Sequence, residues 1–269
     1  VGTGQLDVVA RSGRHGRAHL DLGEDLVALH QLDRSERLVQ AADERARALA
    51  PSADPLLVVR RLAETGEGCT LLSQGPVPGL AQARDIRESL ARARVPGVRL
   101  GTLDLLAVAD TLEAAEQVRR HLRQAGPELR GLSALADGLR PPPTLARELR
   151  RSILPDGGVA DGASPDLSRL RAQVRQAREA ARETLQVLLT NREILPVIAE
   201  PVVTLRNDRY VIPVLPGYRT HLAGVVQDQS GSGHTLFLEP LAVVEQNNAI
   251  RRLEREAETE VDRILGELT

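Results

Sequence analysis

Three arginines, Arg206, Arg209 and Arg219, share a short window of the chain with a serine-glycine turn, Ser230, Gly231, Ser232 and Gly233. The chain's two tyrosines, Tyr210 and Tyr218, and its one phenylalanine, Phe237, fall in or beside the same window. These residue types can do one kind of chemistry together. Arginines neutralise phosphates and give salt-dependent affinity. Successive backbone N–H groups of a Gly-rich turn can form a concave anion nest. Aromatic rings can stack on bases. Each feature also has a plainer reading. The arginines can be solvated surface. The turn can need glycine only for positive φ. The rings can fill a small sheet core that has little else to bury. Asp208, Asp228 and Glu239 offset the arginine charge, so this region is not a strongly basic patch. Gln227 and Gln229 flank Asp228 and are placed to fix the turn.

Other chemistries find little support. The chain has no Lys, and all 35 strongly basic residues are Arg. A phosphate-binding loop of the G-x-x-x-x-G-K-[ST] type is therefore excluded. Cys69 is alone, which excludes an internal disulfide and a cysteine-rich zinc site. His15 and His19 have helical metal-ligand spacing, but their Gly-rich setting argues against a helix. His234 beside the serine turn has no triad partner suggested by the sequence. No catalytic residue, resident cofactor or metal ligand is expected in this chain. The net charge of −2 gives no global field toward nucleic acid or membrane. No run is long and apolar enough for a bilayer span, and the start lacks a signal-peptide core, so a cytoplasmic protein is expected.

The elements that must position the window can be read from periodicity. Residues 1–24 are Gly-rich and aperiodic and are expected to form a loose tail. Residues 25–163 read as a helical core. In it, Asp54 caps a helix that has Pro55 at its first position. Thr102 is expected to cap another, with Asp104 in its first turn. "GPELRGLSALADGL" and "PTLARELRRSI" give two shorter helices. Residues 164–200 start at Ser164-Pro165 and read as one long ascending helix. Its seam runs through Leu167, Leu170, Val174, Ala177, Ala181, Leu188 and Leu195, with Thr184 and Asn191 as polar register points. Helical to about Leu195, it would be about 45 Å long. Residues 201–239 change period. Two β-branched runs flank Asn207-Asp208, a hairpin signal, and two more flank Ser230–Gly233. Residues 240–269 return as a helix whose seam is Ile250, Leu253, Ala257, Val261, Ile264 and Leu268. The expected fold is mainly α: a multi-helix core with a projecting antiparallel helical lever carrying a small β clamp at its tip.

"VTLRNDRYVIPV", "DQSGSGHTLFLEP" and "VVEQNN" resemble the clamp segment of the bacterial MutS-two family. Weaker matches agree in order: "RALAPSADP", "RDIR", "LLAVADTLEAA" and "DGASPDLSRLR". The resemblance runs from about residue 30 to the end. It implies a core, lever and clamp that are followed, in that family, by a dimerising ABC-type ATPase domain and an Smr nuclease domain. ATP and Mg are implied only for that ATPase. The resemblance further implies binding to branched DNA during suppression of recombination, action on collided ribosomes and their rRNA, and a homodimer. Three positions depart from the family's pattern. Leu215 stands where a Lys is usual, Gln227 where a His is usual and His234 where an Ala is usual. The lost Lys weakens any phosphate contact there. Two readings stay open: a nucleic-acid or ribosome clamp module, and a structural protein–protein interaction module.

Overall fold

The computed structural model describes residues 43–126, 128–218 and 221–269. The expected tail 1–24, the His15/His19 pair and Arg219 lie outside them. The described chain is mainly helical, with one small antiparallel sheet of order β1-β2-β4-β3.

The helical part is set by local capping and by apolar stripes turned inward. Helix α1 (Pro55–Ser73) starts as expected: Asp54 Oδ1 accepts from the Leu56 and Leu57 N–H groups at 2.9 and 3.3 Å. A short α2 (Arg87–Ala93) leads to α3 (Thr102–Gln124). Here the sequence expectation needs correction. Gly101, not Thr102, is the N-cap, because its carbonyl already accepts from Leu105 N–H and Thr102 is helical. Asp104 does sit in the first turn. It is buried, accepting from Ser89 Oγ at 2.9 Å and pairing with Arg92 at 3.1 Å. Helix α4 (Arg130–Gly138) has no cap of its own. Glu67 of α1 supplies one across the interface, accepting from the Gly131 and Leu132 N–H groups at 3.0 and 2.8 Å. Helix α5 (Pro143–Ser152) places Leu149 beside Leu105 and Ala109 of α3, and Ile153 just after α5 joins them.

A long antiparallel helix pair follows. Helix α6 (Pro165–Leu189) begins at Ser164, whose Oγ accepts from Leu167 N–H and donates to Glu260 Oε1 at 2.6 Å. Glu260 lies on α7 (Leu241–Leu268). Leu167 and Leu170 pack with Ala257 and Ile264, while Ala181 and Leu185 cluster with Val243 and Ile250. Thr184 serves as a polar register point, accepting from Gln246 Nε2 at 3.0 Å. The expected seam differs at its far end. The helix stops at Leu189, so its length is about 37 Å and not 45 Å. Asn191 Oδ1 turns the chain by accepting from Glu193 N–H, and Pro196 has no N–H to donate within a continued α-helix, so only a short 3-10 turn forms over Leu195–Val197. Leu195 is exposed, and Leu185 takes a fully buried position on the seam. At the opposite end Leu265 and Leu268 pack on both the α3–α5 core and the base of α6. Thr269 Oγ1 accepts from Leu100 N–H at 3.0 Å.

The sheet sits at the other end of the pair. Strands β1 (Thr204–Arg206) and β2 (Arg209–Val214) are joined by Asn207 and Asp208, both at positive φ (51° and 59°). That is the two-residue primed turn which matches strand twist. Strands β3 (Gly224–Gln229) and β4 (Leu236–Pro240) form the second hairpin, with an irregularity between Val226 and Asp228. Tyr210, Ile212, Val214 and Leu238 face Ala181, Leu185, Val243 and Ile250 of the helices. Val211 and Pro213 point the other way and are still buried. The sheet curls to achieve this. Arg206 of β1 pairs with Asp228 of β3 at 3.3 Å, and Asn207 Nδ2 donates to the Gln227 carbonyl at 2.9 Å. The two edge strands are thereby drawn together, which blunts their open edges. Among the described residues no helix is long and apolar enough to cross a membrane.

Two expected outcomes follow from this packing. A Cβ on Gly224 would collide with the Glu239 carbonyl oxygen and lie 2.9 Å from Leu238 Cγ. Gly224→Ala is expected to cost about 1–3 kcal/mol, read as a lowered urea midpoint. Glu260 is pulled from its ordinary 4.5 to about 2, first by Arg263 and then by Ser164. Its contribution is complete above pH 4.5 and is lost as pH falls through about 2. Glu260→Gln should therefore flatten the pH dependence of the urea midpoint across that window.

Candidate nucleic-acid interface

The window singled out by sequence forms the curled sheet and its contact with α7. At its centre is a buried polar network. Register pairs Ile212 with Leu238, which puts Pro240 opposite Tyr210. Proline has no N–H, and β4 ends there as α7 begins. The inward peptide groups of Tyr210 therefore lack a strand partner. Asn247, one per cent exposed, fills that place. Its Oδ1 accepts from Tyr210 N–H at 3.0 Å, and its Nδ2 donates to Tyr210 C=O at 3.1 Å. The same Nδ2 donates to Glu239 Oε1 at 2.8 Å.

Glu239 is also one per cent exposed. A buried carboxylate needs several donors, and it has them. Arg209 Nη1 donates to Oε1 at 2.6 Å, and Gln227 Nε2 donates to Oε2 at 2.5 Å. Arg209 Nη2 continues to Asn248 Oδ1 at 2.9 Å. Three strands and α7 are thus joined through one carboxylate. Gln227 does not fix the Ser230 turn as expected; its side chain is drawn inward by Glu239.

The sequence-selected residues separate into distinct surroundings. Arg209 is mostly enclosed and committed to Glu239. Arg206 is 40% exposed, lies 4.1 Å above the Phe237 ring, and donates from Nη1 to Leu205 C=O. Tyr210 and Tyr218 are core residues, as the plainer reading held. Phe237 lies half-buried on the opposite sheet face, under Arg206. In the loop, Gly233 N–H donates to Ser230 C=O and Ser230 N–H to Thr235 C=O, both at 2.8 Å. Those two donors are turned inward, and Gly233 has φ 73°. Ser230 Oγ also accepts from Thr235 N–H at 3.1 Å, and Gly231 and Ser232 are exposed at the loop's outer edge. Arg206 and the Ser230–Gly233 loop therefore remain at the surface of the same hairpin pair, while Arg209 does not.

Sequence reading missed the role of Asn247. The signal was available: Val243, Asn247, Ile250 and Ala257 occupy one face of α7, and a lone amide on an apolar seam marks a register lock. Among the described residues no group of three His, Cys, Asp or Glu side chains could hold a metal.

No protein-family model matches the chain. Individual relatives do. It is 42% identical over 230 residues to Endonuclease MutS2 of Geobacillus thermodenitrificans, covering 84% of this chain and 29% of that protein. It is 38% identical over 226 residues to Endonuclease MutS2 of Pelotomaculum thermopropionicum, with the same two shares. The namesake from Thermomicrobium roseum is 38% identical over 257 residues, or 92% of this chain and 32% of the relative. The chain thus spans about three-tenths of the length of the curated relatives it matches.

The network predicts two stability changes. Asn247→Ala leaves both Tyr210 peptide groups unpaired and removes one of the donors to Glu239. Its expected cost is about 2–4 kcal/mol by urea unfolding. Arg209→Ala leaves Glu239 without its cation and should cost about 3 kcal/mol, whereas Arg206→Ala should cost under about 1 kcal/mol.

Proposed function

This chain belongs to the MutS2 family over the region its relatives share with it, and we propose that it forms a core, lever and clamp that holds nucleic acid. In this reading α6 and α7 are the lever and the curled sheet is the clamp. The ligand is branched DNA, rRNA of a collided ribosome, or both. The observation that supports it most is the double anchoring of α7. Asn247 ties its first turns to the sheet, and Leu265, Leu268 and Thr269 tie its last turn to the helical core. A rotation of the core end would be carried to the sheet with little loss, since no flexible joint intervenes along the helix.

Cleavage and ATP hydrolysis would be supplied outside these residues. With no Lys the chain offers no nucleotide loop of the usual kind. Such an ATPase, with its ATP and Mg, would drive closure when a partner protomer docks. Phosphate contact would come from the half-exposed Arg206, shared with Asp228, and the outer edge of the Ser230–Gly233 loop; Arg209 would act indirectly by holding the sheet. The competing reading is a protein-interaction module of the same shape.

Binding of the full chain to forked DNA and to a ribosomal RNA fragment, measured against salt, separates the two. The proposal expects log K to fall linearly with log salt, and Arg206→Gln to shrink the slope by about 1. Salt-insensitive self-association with no binding to either nucleic acid at low salt would favour the interaction module.

A further inference from the structure

The arginines of the helix pair are unequally committed. On α6, Arg171 and Arg175 pair with Asp161, and Arg178 pairs with Glu254. On α7, Arg263 pairs with Glu260 and Glu267. Arg251, Arg252 and Arg255 differ. All three are exposed, and among the described residues none has a carboxylate within ion-pair distance. At steps of one and four residues they share one face of α7, within an arc of about 100°. They line a groove of about 660 Å³ together with Asn248 and Arg209, beside the β1–β2 turn.

We infer that this arginine face of α7 is a phosphate-backbone contact, distinct from the Ser230–Gly233 loop and from Arg206. The inference rests on the nucleic-acid reading above and adds a surface to it. Three observations converge. Among the described residues no carboxylate holds these guanidinium groups; Arg255 Nε donates only to the Arg251 carbonyl of its own helix, at 3.2 Å. They lie in a concavity and not on a ridge, so several can reach one strand. Their stems span about 6 Å of helix axis, comparable to two phosphate-to-phosphate steps at about 3.4 Å of axial rise each. Glu254, also in the groove wall, is held by Arg178 and does not neutralise them. Asp208 and Glu258, which also line the groove, reduce the local charge, which favours a backbone contact of moderate strength that needs the clamp for full affinity. Arg209 and Asn248 fix the groove's upper wall through the Glu239 network, so this surface is built by the same lock that orients the sheet.

The test compares two triple variants of the full chain on forked DNA across a salt series. One is Arg251→Gln, Arg252→Gln and Arg255→Gln. The other removes equal charge elsewhere, with Arg45→Gln, Arg61→Gln and Arg151→Gln. Urea unfolding of each confirms that both fold. The expected result is a loss of about 10-fold or more in affinity at low salt and a salt slope reduced by about 2–3 for the α7 triple, with the control triple close to the parent. Equal behaviour of the two triples, or parent-like binding by the α7 triple, overturns the inference and leaves the clamp reading standing. Absence of binding by the parent chain overturns both.

Discussion

A proline at the end of a strand creates the constraint on which this structure depends. Pro240 has no N–H, so β4 cannot complete the ladder against Tyr210. A buried, unpaired peptide group is costly. Asn247 removes that cost by presenting its amide as a one-residue substitute strand. The substitution works only when α7 leaves Pro240 at one angle and in one rotational setting. That setting turns Ile250, Ala257 and Ile264 toward α6 and Arg251, Arg252 and Arg255 away from it. The course of the long helix is thus fixed at its first two turns.

Glu239 extends the constraint sideways. A carboxylate this buried holds Arg209, Gln227 and Asn247 at once, and they come from three different elements. Apolar residues of similar volume could be as stabilising. They would not specify one orientation of sheet on helix. The network therefore favours rigidity of orientation over extra stability. It also changes how the arginines of the window are read. Arg209 acts on the inside of the molecule and Arg206, stacked on Phe237, on the outside.

Much of this was legible in the sequence because it is local. Asp54-Pro55 and Ser164-Pro165 start helices wherever they occur, and Asn207-Asp208 makes a hairpin turn through its own backbone preference. The antiparallel seams were legible through their period. The end of α6 was not, since the heptad count continues past Leu189 while Asn191 and Pro196 stop the helix. Thr102 was misplaced because a glycine with suitable φ and ψ caps equally well. The non-local features were the least legible. Glu67 capping α4, the curl that joins β1 to β3, and the enclosure of Arg209 each need residues far apart in sequence to meet. A sequence shows an arginine's charge, not which carboxylate has claimed it.

The most direct test of the central claim is native-state hydrogen exchange at the Tyr210 amide. If Asn247 substitutes for the missing strand, that N–H opens only with the whole sheet. Its protection should then match that of Ile212, and Asn247→Ala should abolish the match. Exchange at Tyr210 as fast as in the Ser230–Gly233 turn would contradict the account. The sheet would then be hinged on α7, not locked to it.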